Sequence, residues 1–92
     1  MGVLTVNHSF IADGESKESN VPLSTEYMFF VTGNLGGGTL SLEASPDNGI
    51  TWFTVDRLTS AGRLIRYLVS GEIIKLVLCD AVDPVCSAGV RQ

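Results

Sequence analysis

The sequence predicts an all-β fold, a small antiparallel sandwich of about six to eight strands. Three observations carry that expectation. Short segments alternate apolar and polar side chains with the period of two that a half-buried strand requires. They are separated by clusters of Gly, Pro, Asn and Asp, with Pro46-Asp47-Asn48-Gly49 the clearest. No segment of useful length shows a helical period, and no repeat is sustained.

The first expected strand covers residues 3–12, with Leu4, Val6, His8, Phe10 and Ala12 on one face. His8 on the more apolar face reads as a hydrogen-bonded structural residue. Residues 13–26 are polar, contain Gly14 and Pro22, and read as a long loop with a short extended piece at Val21 to Leu23. The acids Asp13, Glu15 and Glu18 in it miss the spacing of a calcium loop. Tyr27 to Val31 is apolar on both faces, as a central strand or one half covered by a partner would be. Gly36-Gly37-Gly38 feeds a strand rather than a helix and no Lys-Ser/Thr follows, so it reads as a bend where backbones approach closely rather than a phosphate cradle.

The central hairpin is the strongest local signal. Leu40, Leu42 and Ala44 alternate with Thr39, Ser41 and Glu43, and a second strand runs from Ile50 to Val55. Between them Pro46 presets φ, Asp47 and Asn48 accept bent backbone, and Gly49 supplies a positive φ. Trp52, beside Ile50 and opposite Leu42, is expected in the core. Residues 57–62 form a connection with room for one helical turn. Leu64 to Val69 and Glu72 to Cys79 then form a second hairpin around Ser70-Gly71, and residues 85–91 a last short strand. With Ile65, Tyr67 and Val69 inside, Leu64, Arg66 and Leu68 lie outside; with Ile74, Leu76 and Leu78 inside, Ile73, Lys75 and Val77 lie outside. Those outer positions are more apolar than a monomer's surface usually is, so Leu64, Arg66, Leu68, Ile73, Lys75 and Val77 are expected to form a subunit interface, the alternative being that the 13–26 loop covers part of them.

Composition bounds the rest. Ninety-two residues make one domain, residues 1–92, and a domain of that size buries only about 60% of its unfolded surface. With 45% hydrophobic residues, part of its surface is expected to be covered by another subunit. The net charge of −4 and the lack of a basic stripe argue against nucleic acid. No run is long enough to span a membrane. Met1 to Val6 lacks a basic region and a cleavage site, so the chain reads as made and first folded in a cytosol. Cys79 and Cys86 read as small core side chains, and two cysteines with a single histidine do not make a zinc site. No nucleophile elbow, His-Glu-x-x-His or placed carboxylate pair occurs, so neither an enzyme nor a cofactor or metal is expected.

Ser45-x-Asp47-x-Gly49-x-Thr51-Trp52 resembles the Asp-box hairpin of sialidases and other β-propellers. That resemblance implies a turn-stabilising role, with Asp47 accepting turn N–H groups, Gly49 at positive φ and Trp52 as a buried anchor. One copy in so short a chain carries no sialidase activity. The wider order of parts also resembles small virion proteins of tailed bacteriophages: Tyr27 to Gly33, the Gly-rich entry Gly36 to Leu42, the hairpin Ser45 to Trp52, and the aliphatic strands of Leu64 to Cys79. This second resemblance implies a virion structural protein made in the host cytoplasm. Its implied partners are the major capsid protein or other virion subunits, with copies of itself in a homo-oligomer, a trimer by analogy. The acidic 13–26 loop and the N-terminal arm are further implied contact surfaces. A capsid decoration (cement) role is the leading expectation, with a neck or tail accessory subunit or a carbohydrate-binding module on Trp52 as alternatives.

Overall fold

A computed structural model describes residues 4–92. The expected start of the first strand, Val3, and the tip of the N-terminal arm lie outside the described residues. The described residues form nine strands: β1 (Thr5–Phe10), β2 (Gly14–Glu15), β3 (Ser19–Asn20), β4 (Thr25–Asn34), β5 (Thr39–Ser45), β6 (Phe53–Leu58), β7 (Gly62–Leu68), β8 (Ile73–Cys79) and β9 (Val85–Arg91). They form two antiparallel sheets packed as a sandwich. One sheet has the order β1-β9-β4-β7; the other has the order β2-β8-β5-β6, with β3 also paired to β8.

Burial of the inner faces holds the sheets together. Tyr27, Phe29 and Val31 of β4, Leu68 of β7 and Ala88 and Val90 of β9 meet Leu40, Leu42 and Ala44 of β5 and Ile74, Leu76 and Leu78 of β8. Each large aliphatic side chain removed from water contributes about 1.5–3 kcal/mol. Tyr27 is buried without an unpaired polar atom, because its hydroxyl donates to the Leu23 carbonyl at 2.6 Å.

Three expectations are corrected here. The 13–26 segment is not a free loop, because β2 and β3 pair with β8 along its edge. Between them Ser16 N donates to Leu76 O at 2.8 Å, and Leu76 N donates to Ser16 Oγ at 2.8 Å. Val21 is buried as the anchor of this fringe. An edge strand exposes unpaired backbone groups, and this segment covers those of β8. The expected 50–55 strand begins only at Phe53, leaving Ile50 84% exposed in the turn. The faces of β7 are also reversed. Its register on β4 pairs Leu64 with Phe29, Ile65 with Met28, Arg66 with Tyr27 and Tyr67 with Glu26. Partners across an antiparallel pair share a face, so Leu64, Arg66 and Leu68 point inward while Ile65 and Tyr67 point out. A shift of one residue inverts a whole strand, and β7, apolar on both faces, does not specify which way.

Candidate functional site

The hairpin turn is built by its own side chains. Ser45 Oγ donates to Asp47 Oδ1 at 2.9 Å and accepts from Gly49 N at 2.8 Å. Asp47 Oδ1 also accepts from Thr51 N at 2.7 Å. Asn48 and Gly49 have φ of 62° and 92°, a left-handed pair that glycine adopts without steric cost. The Thr51 backbone N–H, then the Thr51 hydroxyl and with them the Ser45 hydroxyl, hold the Asp47 carboxyl below its ordinary 3.8.

Trp52 is not the buried core anchor expected of it. It is half-buried outside the core, with Nε1 donating to Gly49 O at 3.1 Å and Lys75 Nζ 4.3 Å from its ring centroid. Lys75 also pairs with Glu15 at 3.0 Å. The outer face of the five-stranded sheet is therefore closed by its own residues: fringe, strand β8 and hairpin meet at one ammonium group. Ile73 and Val77 flank Lys75 on this face, both half-buried.

The outer face of the four-stranded sheet is different. Strand registers place Glu26, Met28, Phe30 and Thr32 of β4 beside Arg63, Ile65 and Tyr67 of β7, with Gly89 and Arg91 of β9 beyond. Ile65 and Tyr67 are 51% and 61% exposed. A groove of about 520 Å³ runs over this face, lined by Met28, Phe30, Thr32, Gly62 and Arg63 among others. Neither Arg63 nor Arg91 has a carboxylate partner among the described residues. Gly89 makes room for the tip of the Phe30 ring, since a Cβ there would come within 2.6 Å of it and 2.5 Å of the Val6 carbonyl oxygen.

The six residues expected to form an interface thus separate. Leu68 is 1% exposed and belongs to the core, and Leu64 is half-buried against it, so neither offers a contact surface. Arg66 reaches across the open side of the sandwich. Its Nε donates to Asp56 Oδ2 at 2.6 Å and its Nη1 to its neighbour's carbonyl, Ile65 O, at 2.7 Å. A bulge in the β5–β6 pairing between Leu42 and Glu43 brings Asp56 opposite Leu42, on the inner face, where this pair forms. The Arg57 backbone N–H first, then the Arg66 guanidinium, lower the Asp56 carboxyl. Ile73, Lys75 and Val77 do share an outer face, but on the other sheet from β7.

Sequence reasoning missed Met28, Phe30, Ile65 and Tyr67 as a common surface. It also missed a second one, at the end of the sandwich where Ile11, Val82 and Val85 are exposed. There Asp13 accepts from Asp80 N at 3.1 Å and Ala81 N at 2.9 Å, and Val82 N donates to Gly36 O at 2.9 Å. These bonds fix the loops that present the three aliphatic side chains. His8 packs edge-on against Phe10 with centroids 4.5 Å apart. Both cysteines carry free thiols. Cys86 is buried, which pushes its thiol up, whereas Cys79 is exposed rather than a core side chain. Among the described residues no group of three or more His, Cys, Asp or Glu is placed to hold a metal ion. Comparison with protein-family models, with curated proteins and with solved structures finds no match in any of the three.

Proposed function

We propose that this chain is a non-enzymatic structural protein of a tailed-bacteriophage virion, a capsid decoration subunit that reinforces the head by binding the major capsid protein. The observation that carries the proposal is the uneven outer surface. One sheet face is closed by its own ion pair and indole; the other, with the loop end at Ile11, Val82 and Val85, leaves large apolar side chains in water. Exposed apolar surface in contiguous patches marks places where protein meets protein. The loop end suits a capsid contact, because Asp13 holds the backbone of the loop at Asp80 and Ala81 before any partner arrives, so less loop ordering is left to oppose binding.

The test is co-sedimentation of the purified chain with heads of the encoding particle prepared without it, followed by heating of the decorated and bare heads. Saturable binding with delayed thermal rupture is the expected result. Binding to isolated tails or necks, and not to heads, would move the chain to an accessory role there. Binding to neither would remove the virion reading.

A further inference from the structure

The apolar face of the four-stranded sheet is laid out so that it complements itself. We propose that it is occupied by the same face of a second copy, related by a two-fold axis running parallel to the strands between β4 and β7. This rests on the reading of that face as an interface and names its occupant.

The argument follows from the register. Three rows cross the two strands: Phe30 beside Arg63, Met28 beside Ile65, and Glu26 beside Tyr67. A two-fold axis along the strands keeps each row and exchanges the columns. Met28 then meets Ile65 of the second copy, apolar on apolar, at the centre. At one end Arg63 lies over the Phe30 ring, a cation on a π face. At the other the Glu26 carboxylate accepts from the Tyr67 hydroxyl. No like charges face each other, and Arg91 of β9 falls outside the pair because β9 lies beyond the edge of the facing β7.

One isologous alternative, an axis in the interface plane but perpendicular to the strands through the Met28–Ile65 row, keeps the columns and exchanges the rows. It sets Arg91 against Arg91, both drawn from the same row, and so opposes two guanidinium groups that have no carboxylate partner among the described residues. Charge therefore selects the axis along the strands. The Asp56–Arg66 pair points the same way. An inward-pointing charge that caps the Ile65 carbonyl disfavours edge-to-edge addition at β7, which leaves the face rather than the edge for association. A two-strand face is small, so pairing is weak in free solution and gains strength where many copies are held on one particle.

The experiment uses the full chain carrying Cys79→Ser, so that the buried Cys86 is the only native thiol. Glu26→Cys is added and treated with a bismaleimide that spans the sheet-to-sheet spacing of about 10 Å. The expected result is a covalent dimer of Glu26→Cys with itself, lost when Ile65→Lys is added. A mixture of Glu26→Cys and Arg63→Cys chains should give no crosslink between the two, since their rows stand about 13 Å apart along the strands. Equal thermal midpoints for all variants show that the fold is intact. Crosslinking of Glu26→Cys to Arg63→Cys in place of Glu26→Cys to itself would overturn the axis. No crosslink up to the solubility limit, or one that survives Ile65→Lys, would overturn the pairing. Co-sedimentation with heads is read separately: a chain that pairs but ignores heads keeps this inference and loses the virion role, and the converse outcome does the opposite.

Discussion

The two outer faces of this sandwich have the same strand geometry and opposite fates. On the five-stranded sheet Lys75 lies between Glu15 and the Trp52 ring, so one cation is satisfied by a fringe strand on one side and a hairpin on the other. On the four-stranded sheet Met28, Phe30, Ile65 and Tyr67 lie together, and the neighbouring Arg63 and Arg91 have no acidic partner among the described residues. The first face is finished within the chain; the second leaves Ile65 and Tyr67 exposed to water. A strand that is apolar on both sides can have either meaning, and what lies across it decides which.

Substitutions that break or sharpen this contrast have graded effects. The largest is expected at Gly89. A side chain there meets the Val6 carbonyl and the Phe30 ring, so Gly89→Val should cost about 3 kcal/mol in urea unfolding and lift Phe30 from the open face. Next is Ser45, fully buried where the closed face joins its hairpin. Ser45→Ala leaves the Gly49 N–H without its acceptor and should cost about 1–2 kcal/mol. Lys75→Ala, on the same face, should cost only about 0.5 kcal/mol, because Glu15 is largely exposed, but should shift Trp52 fluorescence as the cation leaves the ring.

Acid acts on the closed side through Asp47 and, across the open side of the sandwich, on Asp56, whose carboxyl is also lowered. The Asp47 carboxyl is depressed in the folded state, so its turn bonds contribute in full above 3.8 and are lost as pH falls through the lower folded value. Trp52 emission should therefore change below pH 3.8, and Asp47→Asn should remove that dependence. The smallest effect on stability is expected at Ile65. Ile65→Lys should change unfolding by no more than about 0.5 kcal/mol while abolishing the self-crosslink.

Much of the fold was legible. Leu40, Leu42 and Ala44 alternate cleanly with Thr39, Ser41 and Glu43, and Ile74, Leu76 and Leu78 keep the same period around Lys75 although Ile73 and Val77 are apolar; all six are in the core. The Pro-Asp-Asn-Gly turn follows from local chemistry and needs no distant partner. The candidate surface was less legible. Arg66 looked like the mark of an outer face, whereas it points inward because Asp56 waits across the open side of the sandwich. Trp52 looked like core because hydrophobicity alone favours burial; its position depends on where β6 begins and on Lys75 of a strand more than twenty residues away. The fringe strands β2 and β3 are two residues each, too short for any periodicity to reveal.

By itself, then, the sequence determined the class of fold, the hairpin and the inner faces of β5 and β8. In each case the information is carried by neighbours in the chain, through alternation and backbone preference. Only the tertiary structure decided which face of β7 is buried, what covers the edge of β8, and that one outer face is closed while the other stays open. Those outcomes depend on register between distant strands, and a strand with apolar residues on both sides takes its orientation from its partner.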